Sequence, residues 1–223
     1  MKYLKIMINK IILASKSGVR KKILEDNGIA CRVEPSDIDE DSFKKSLLKQ
    51  NATPTIISKN LAELKANKIS QKFTNEIILG ADSVIDLEGQ IISKPNDRTE
   101  AIKILQKLNG KTHQLVSSVC ISKGGSMIWN HTDKASLTMK NMSFLELEDY
   151  LAKISDEALY AYNVYQIEGE GRNLFSKIDG DEDTIMGLPI KDRFDHARSD
   201  NSGKNTDNCE NTNHFDQCES IFV

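Results

Sequence analysis

The chain has 223 residues, 39% of them hydrophobic, and 30 basic against 33 acidic side chains leave a net charge of −3. That length can bury a full core, as one large domain or two small ones. The near balance of charge excludes a global field that would draw the protein to nucleic acid or an anionic membrane, so any phosphorylated ligand must be gripped locally.

Cysteines at 31, 120, 209 and 218 form no C-x-x-C pair and no metal spacing, which points to a reducing cytoplasm. No stretch approaches membrane-spanning length, and Lys5 and Lys10 interrupt the apolar N-terminus, which fits a first strand better than a leader.

In chain order, Ile11 to Ala14 reads as a buried strand. Ser15-Lys16-Ser17-Gly18 then leads into a helical pattern through Val19, Ile23 and Leu24, stopped by Asn27-Gly28. A strand, a small polar loop and a helix N-terminus offer unpaired N–H groups to a phosphate, with Ser15, Ser17 and Arg20 at hand. A plain serine cap beside a solvated Arg20 fits the same residues. Cys31 to Pro35 suits a short strand. The acids of Ser36 to Asp41 either gather a hard cation or only lead into a helix over Ser42 to Gln50. Pro54 starts a helix with Ile57, Leu61, Leu64 and Ile69 as its stripe and Lys65 and Lys68 beside it, where most lysines face solvent.

The most informative stretch is Ile77 to Pro95. An apolar run ends in Gly80-Ala81, small enough to leave room for a ligand, and then presents Asp82. A hairpin through Asp86-Leu87-Glu88-Gly89 returns the chain and delivers Lys94. Taken alone, Asp82 also suits a turn and Lys94 a solvated loop. Arg98 to Leu108 is an amphipathic helix stopped by Asn109-Gly110. His113 to Ser122 and Met127 to Met139 are strand-like around Gly124-Gly125, as a hairpin or an antiparallel addition to the sheet, and Ser143 caps a helix with Glu146 three residues on. Strand-like Leu174 to Ile178 follows a glycine-rich Glu168 to Gly171. From Lys191 apolar residues become sparse, so 191–223 is expected to be a disordered tail.

Several motifs fail. Gly110-Lys111-Thr112 lacks the earlier P-loop glycine, because Leu105 stands there, and Leu174 occupies the third glycine of a dinucleotide fingerprint. H-E-x-x-H and G-x-S-x-G are absent, and His113 reads as structural.

Six fragments in register carry a resemblance: L-A-S-K-S-G-V-R (13–20), G-A-D-S-V-I (80–85), K-P (94–95), L-N-G-K-T-H (108–113), I-E-G-E-G (167–171) and G-L-P (187–189). Together they resemble the Maf family of nucleoside triphosphate pyrophosphatases, over about Ile11 to Ile190. The resemblance implies an α/β fold: a curved mixed β-sheet with flanking helices, its two lobes around a central cleft, like the inosine triphosphate pyrophosphatases. It places that domain at 1–190. It also implies hydrolysis of the α–β phosphoanhydride of a nucleoside triphosphate, with Mg2+ or Mn2+ as cofactor, and a homodimer.

Position by position, it makes Asp82 the general base and Glu40 a metal ligand, with Ser15, Arg20, Lys65 and Lys94 as phosphate contacts. Ser83 and Glu168 match positions that track base preference, and they disagree. Ser83 is close to the threonine of the thymidine and uridine triphosphate branch, whereas Glu168 matches the branch acting on 7-methylguanosine triphosphate. The chain departs from the family at Gly18-Val19, where a Pro-aromatic or Pro-Arg pair is commoner, and after Gly187-Leu188-Pro189, where a leucine-rich helix is expected. That second departure motivates an alternative, a nucleotide-binding regulator of division or growth that has lost turnover.

Overall fold

Apolar runs at both ends of the first eighty residues lie side by side at the centre of the molecule, a computed structural model that describes residues 11–156, 159 and 164–190. Seven strands, β1 (Ile11–Leu13), β2 (Cys31–Val33), β3 (Ile77–Leu87), β4 (Gln90–Ile92), β5 (Thr112–Lys123), β6 (Ser126–Met139) and β7 (Phe175–Asp179), form one mixed sheet. Its order is β2-β1-β3-β5-β6-β7, with β4 paired to β3 off this path. β1 runs parallel to β2 and β3, and every other pairing is antiparallel. Among the described residues, α-helices run over α1 (Gly18–Asp26), α2 (Glu40–Lys49), α3 (Pro54–Lys72), α4 (Arg98–Leu108), α5 (Phe144–Lys153) and the short α6 (Glu182–Ile185).

The sheet forks at β3. β5 runs along one side of this strand from Ile78 to Asp86. On the other side β1 pairs with Ile77 to Leu79 and β4 with Ile85 to Leu87, so Gly80 to Val84 have no strand neighbour there among the described residues. A gap in a ladder leaves backbone groups in need of partners and opens a crevice between the diverging strands. The apolar core divides about the same point. One cluster, with Leu105, Leu108, Leu137 and Leu151, packs beyond the fork, and three smaller ones gather around β1 and α3.

Glycine at position 80 sets how closely α3 crosses the sheet. A Cβ there would lie 2.3 Å from the Ala62 carbonyl oxygen and 2.7 Å from the Ala66 nitrogen, both backbone atoms of the helix. The small Gly80 thus serves helix packing rather than ligand access. The buried stripe of α3 is also wider than the apolar residues alone indicate: Ser58, Leu61, Ala62, Lys65, Ala66, Ile69 and Ser70 all face inward, and Lys65 sits in the stripe rather than beside it.

Local rules explain most boundaries. Ser17, Asp39, Thr53, Asp97, Ser143 and Asp181 each cap the helix that follows with a side-chain oxygen, and Ser143 with Glu146 completes a capping box. The β3–β4 hairpin turns on Glu88-Gly89, with φ of 55° and 83°, so the connection is two residues long and β3 reaches Leu87. Two readings are corrected here. β3 is one unbroken strand with Asp82 at its middle, and α6 forms where none was expected. The expected tail at 191–223, with the missing leucine-rich helix, and the N-terminal residues 1–10 lie outside the described residues.

Candidate active site

The fork in the sheet is the mouth of a cleft of about 730 Å³, within the range of small-molecule sites. Ser15, Arg20, Glu40, Lys65, Asp82, Ser83, Lys94 and Glu168 all line it. They arrive from seven separate places: the β1–α1 loop, α1, α2, α3, the middle of β3, and the segments after β4 and before β7.

Asp82 and Ser83 are consecutive in an extended strand, so their side chains leave opposite faces. Asp82 points to α3. Its Oδ1 accepts from Lys65 Nζ at 2.7 Å, and the same ammonium reaches Glu40 Oε1 at 3.0 Å. Lys65 is thus a buried bridge between two carboxylates, not the solvent-facing residue that its type suggests. Asp82 Oδ2 is buried and has no hydrogen-bond partner among the described residues. Below it, Ser58 Oγ donates to the Asp82 carbonyl at 3.0 Å and lies within hydrogen-bond distance of Ser118 Oγ, at 2.9 Å, which fixes the strand beneath the carboxylate.

Ser83 turns the other way, towards Arg20. Nε of Arg20 donates to the Gly187 carbonyl at 2.9 Å, Nη1 to Ser15 Oγ at 3.2 Å and to the Ala81 carbonyl at 2.9 Å, and Nη2 to Ser83 Oγ at 3.3 Å. Four of its five N–H donors are therefore engaged. Since Ala81 lies in the gap of the ladder, the guanidinium supplies a donor that a neighbouring strand would otherwise provide. Ser17 caps α1 as the plain reading has it, but Arg20 is not the solvated residue of that reading: it is a bolt joining α1, β3 and the Gly187 loop. Ser117 extends this network to Ser83 at 2.8 Å and to the Thr184 carbonyl at 2.7 Å, and Thr184 Oγ1 donates to Asp133 at 2.6 Å.

Electrostatics reflects the crowding. Burial pushes the Glu40 pKa up, but the charge and hydrogen bond of Lys65, with Lys44 and Lys94, together outweigh it and hold the carboxyl below its usual range. Lys94 is exposed at the cleft rim, yet the protein around its ammonium lowers the pKa. Glu40 opposes this, and Lys44, Arg20 and Lys65 reinforce it. Burial likewise lowers Arg20, against the pull of Asp82 and Glu40. The cationic side chains therefore share one small volume.

No cluster of three His, Cys, Asp or Glu side chains suited to a metal occurs among the described residues. A cation such as Mg2+ needs fewer, because it keeps waters and takes phosphate oxygens as ligands. Glu40 and the orphaned Oδ2 of Asp82 fit that requirement. Sequence reasoning missed Lys44, Gln166 and Met186, which also line the cleft. Only Lys44 carried a signal, standing one helical turn after Glu40.

The chain is similar to several known proteins. A nucleoside triphosphate pyrophosphatase of Pelagibacter ubique is 82% identical over 185 residues, covering 83% of this chain and 95% of that protein. A 7-methyl-GTP pyrophosphatase of Brucella abortus is 39% identical over 184 residues, covering 82% and 92%. Among solved structures, a nucleoside-triphosphatase (dITP/XTP pyrophosphatase) of Mycobacterium abscessus aligns with a TM-score of 0.42 at 10% identity, over 86% of this chain and 95% of that one. The family model described as Maf-like protein matches residues 10–198, and the chain belongs to the Maf family.

Proposed function

We propose that the protein hydrolyses the α–β phosphoanhydride of a nucleoside triphosphate, giving the nucleoside monophosphate and pyrophosphate, and that modified nucleotides are among its substrates. The observation that carries this reading is Asp82, whose one oxygen is fixed by Lys65 while the other is buried and unpaired at a cation-lined cleft. A carboxylate so held can take a proton from water as the water oxygen bonds to the α phosphorus; the electron pair of the breaking P–O bond leaves with pyrophosphate.

Roughly four negative charges on the substrate need cations around them, and Lys65, Lys94 and the remaining Arg20 N–H serve there, with Ser15 as a hydrogen-bond donor. Glu40 would help to hold a divalent cation, Mg2+ or Mn2+, which when bound supplies charge stabilisation to the phosphates and leaves the second oxygen of Asp82 to take the proton. Glu168 accepts hydrogen bonds only, which suits the N–H edge of a guanine-type base, and Ser83 borders the same space. A cytoplasmic homodimer belongs to the same proposal. Among the described residues no helix is long and apolar enough to cross a membrane.

The test is a panel of canonical and modified triphosphates with Mg2+ or Mn2+, scored for pyrophosphate. Asp82→Asn is expected to lower the rate by about 10²- to 10⁴-fold. A bound triphosphate recovered intact from every reaction would favour the non-hydrolysing regulator instead.

A further inference from the structure

Five cations line the cleft, and four have roles within the protein. Lys16 pairs with Asp37 at 3.1 Å in the open loops. Arg20 is bolted to four acceptors, and Lys65 is held by two carboxylates. Lys94 sits among the charges described above. Lys44 differs: it is half-buried in the cleft wall and makes no hydrogen bond or ion pair to any described residue. It lies one turn beyond Glu40 on α2, so the two side chains share a face. Its charge is also close enough to act on both Glu40 and Lys94.

Glu40 offsets part of the repulsion between the Lys44 and Lys94 ammonium groups, but it is itself held by Lys65, which leaves the pair with positive charge for a further anion in the cleft. The remaining lining divides the substrate accordingly. In the hydrolytic reading Asp82 marks the attacked α phosphorus, and Glu168, an acid on the segment before β7, repels phosphate. We propose that Lys44 is a further substrate contact which, with Lys94, grips the two outer phosphates of the triphosphate, those that leave as pyrophosphate. This rests on the hydrolytic reading above and adds to it a site for the leaving group. Lys44 then acts on the product side of the reaction: it neutralises charge that grows on the outer phosphates as the bridging bond breaks.

The test is calorimetric titration of the full chain with inorganic pyrophosphate and, separately, with a nucleoside monophosphate. Four proteins are compared: wild type, Lys44→Met, Lys44→Arg and Lys45→Met. Methionine keeps the apolar stem that packs in the wall, and Lys45 is the exposed neighbour whose loss removes the same net charge. Lys44→Met is expected to weaken pyrophosphate about tenfold while monophosphate changes less than about twofold, and Lys44→Arg should restore most of the loss. Lys45→Met should change neither.

The proposal is overturned by wild type that binds no pyrophosphate, by unchanged pyrophosphate affinity in Lys44→Met, by equal weakening of both ligands, or by a Lys45→Met effect as large as that of Lys44→Met. Because binding is read directly, a chain that holds pyrophosphate through Lys44 but hydrolyses no nucleotide sinks the hydrolytic reading alone. Turnover with an indifferent Lys44 sinks this inference alone.

Discussion

Asp82 on β3 and His113 on β5 are both nearly sealed from solvent, at 4% and 1% exposure, and each carries one polar atom with no partner among the described residues. Their surroundings differ in kind. Asp82 is met by an ammonium at 2.7 Å and stands at the cleft. His113 lies among rings, 5.6 Å from Tyr165 and 5.8 Å from Phe175 between centroids, and its Nε2 shares a 2.6 Å hydrogen bond with the Tyr165 hydroxyl. Burial pulls the His113 pKa down to about 4, so the ring is neutral at pH 7, and burial pushes the Tyr165 hydroxyl up. The same defect therefore has two meanings. An orphan acceptor at a cleft lined with cations invites a ligand, whereas an orphan ring nitrogen within an apolar cluster is a fixed cost of folding.

The sharpest way to break this contrast is Lys65→Met. Removing one partner of a buried ion pair leaves Asp82 uncompensated with Glu40 nearby, which is expected to cost about 3–5 kcal/mol in denaturant unfolding. The double variant Lys65→Met/Asp82→Asn should recover part of that loss, because removing both partners costs less than removing one. If Lys65→Met unfolds like wild type, the cluster is solvated and the contrast collapses.

The neutral side is tested by acid. His113 protonates near 6.5 when unfolded and at about 4 when folded, so between these values the unfolded state binds more protons. Stability must then fall as pH drops from about 6.5 to 4, by roughly 3 kcal/mol from this residue, and level off below. In His113→Phe that part of the pH dependence should vanish, although the unpaired Tyr165 hydroxyl lowers stability at pH 7 by about 1–3 kcal/mol. An unchanged acid slope in the variant would show that His113 does not carry it.

How far the two clusters could be read in advance follows from the range of the forces that build them. Helices α1, α4 and α5 and the long β5–β6 hairpin follow local signals, namely caps, stop glycines and hydrophobic period, and their boundaries come out within a residue or two. His113 as a core residue was equally legible from the apolar strand around it. β3 was not, because Gly80-Ala81 reads as the end of a strand when its reason is the upstream helix α3, whose backbone at Ala62 and Ala66 needs room. Lys65 was placed outside the stripe, although it stands four residues from both Leu61 and Ile69; charge masked the period. The fork itself depends on β1, β4 and β5 competing for one strand, and no single stretch encodes that.

A change that touches neither cluster gives the comparison its zero, and Gly18→Pro is suited to it. Gly18 is the first residue of α1, where an N–H has no intrahelical partner and proline's fixed φ matches the helix. The preceding Ser17 has φ −68° and ψ 114°, close to the extended conformation that proline imposes on its neighbour. A Cβ at position 18 meets nothing within 4 Å. Replacing the freest residue of the loop then stabilises chiefly by restricting the unfolded chain, by about 0.4–1 kcal/mol in denaturant unfolding. Ser17 should still cap α1 and Arg20 should keep its four acceptors, so pyrophosphate release should stay near wild type. A loss of activity with the gain in stability would mean that the Ser15–Gly18 loop must move to admit the substrate, and that the bolt at Arg20 opens during the cycle.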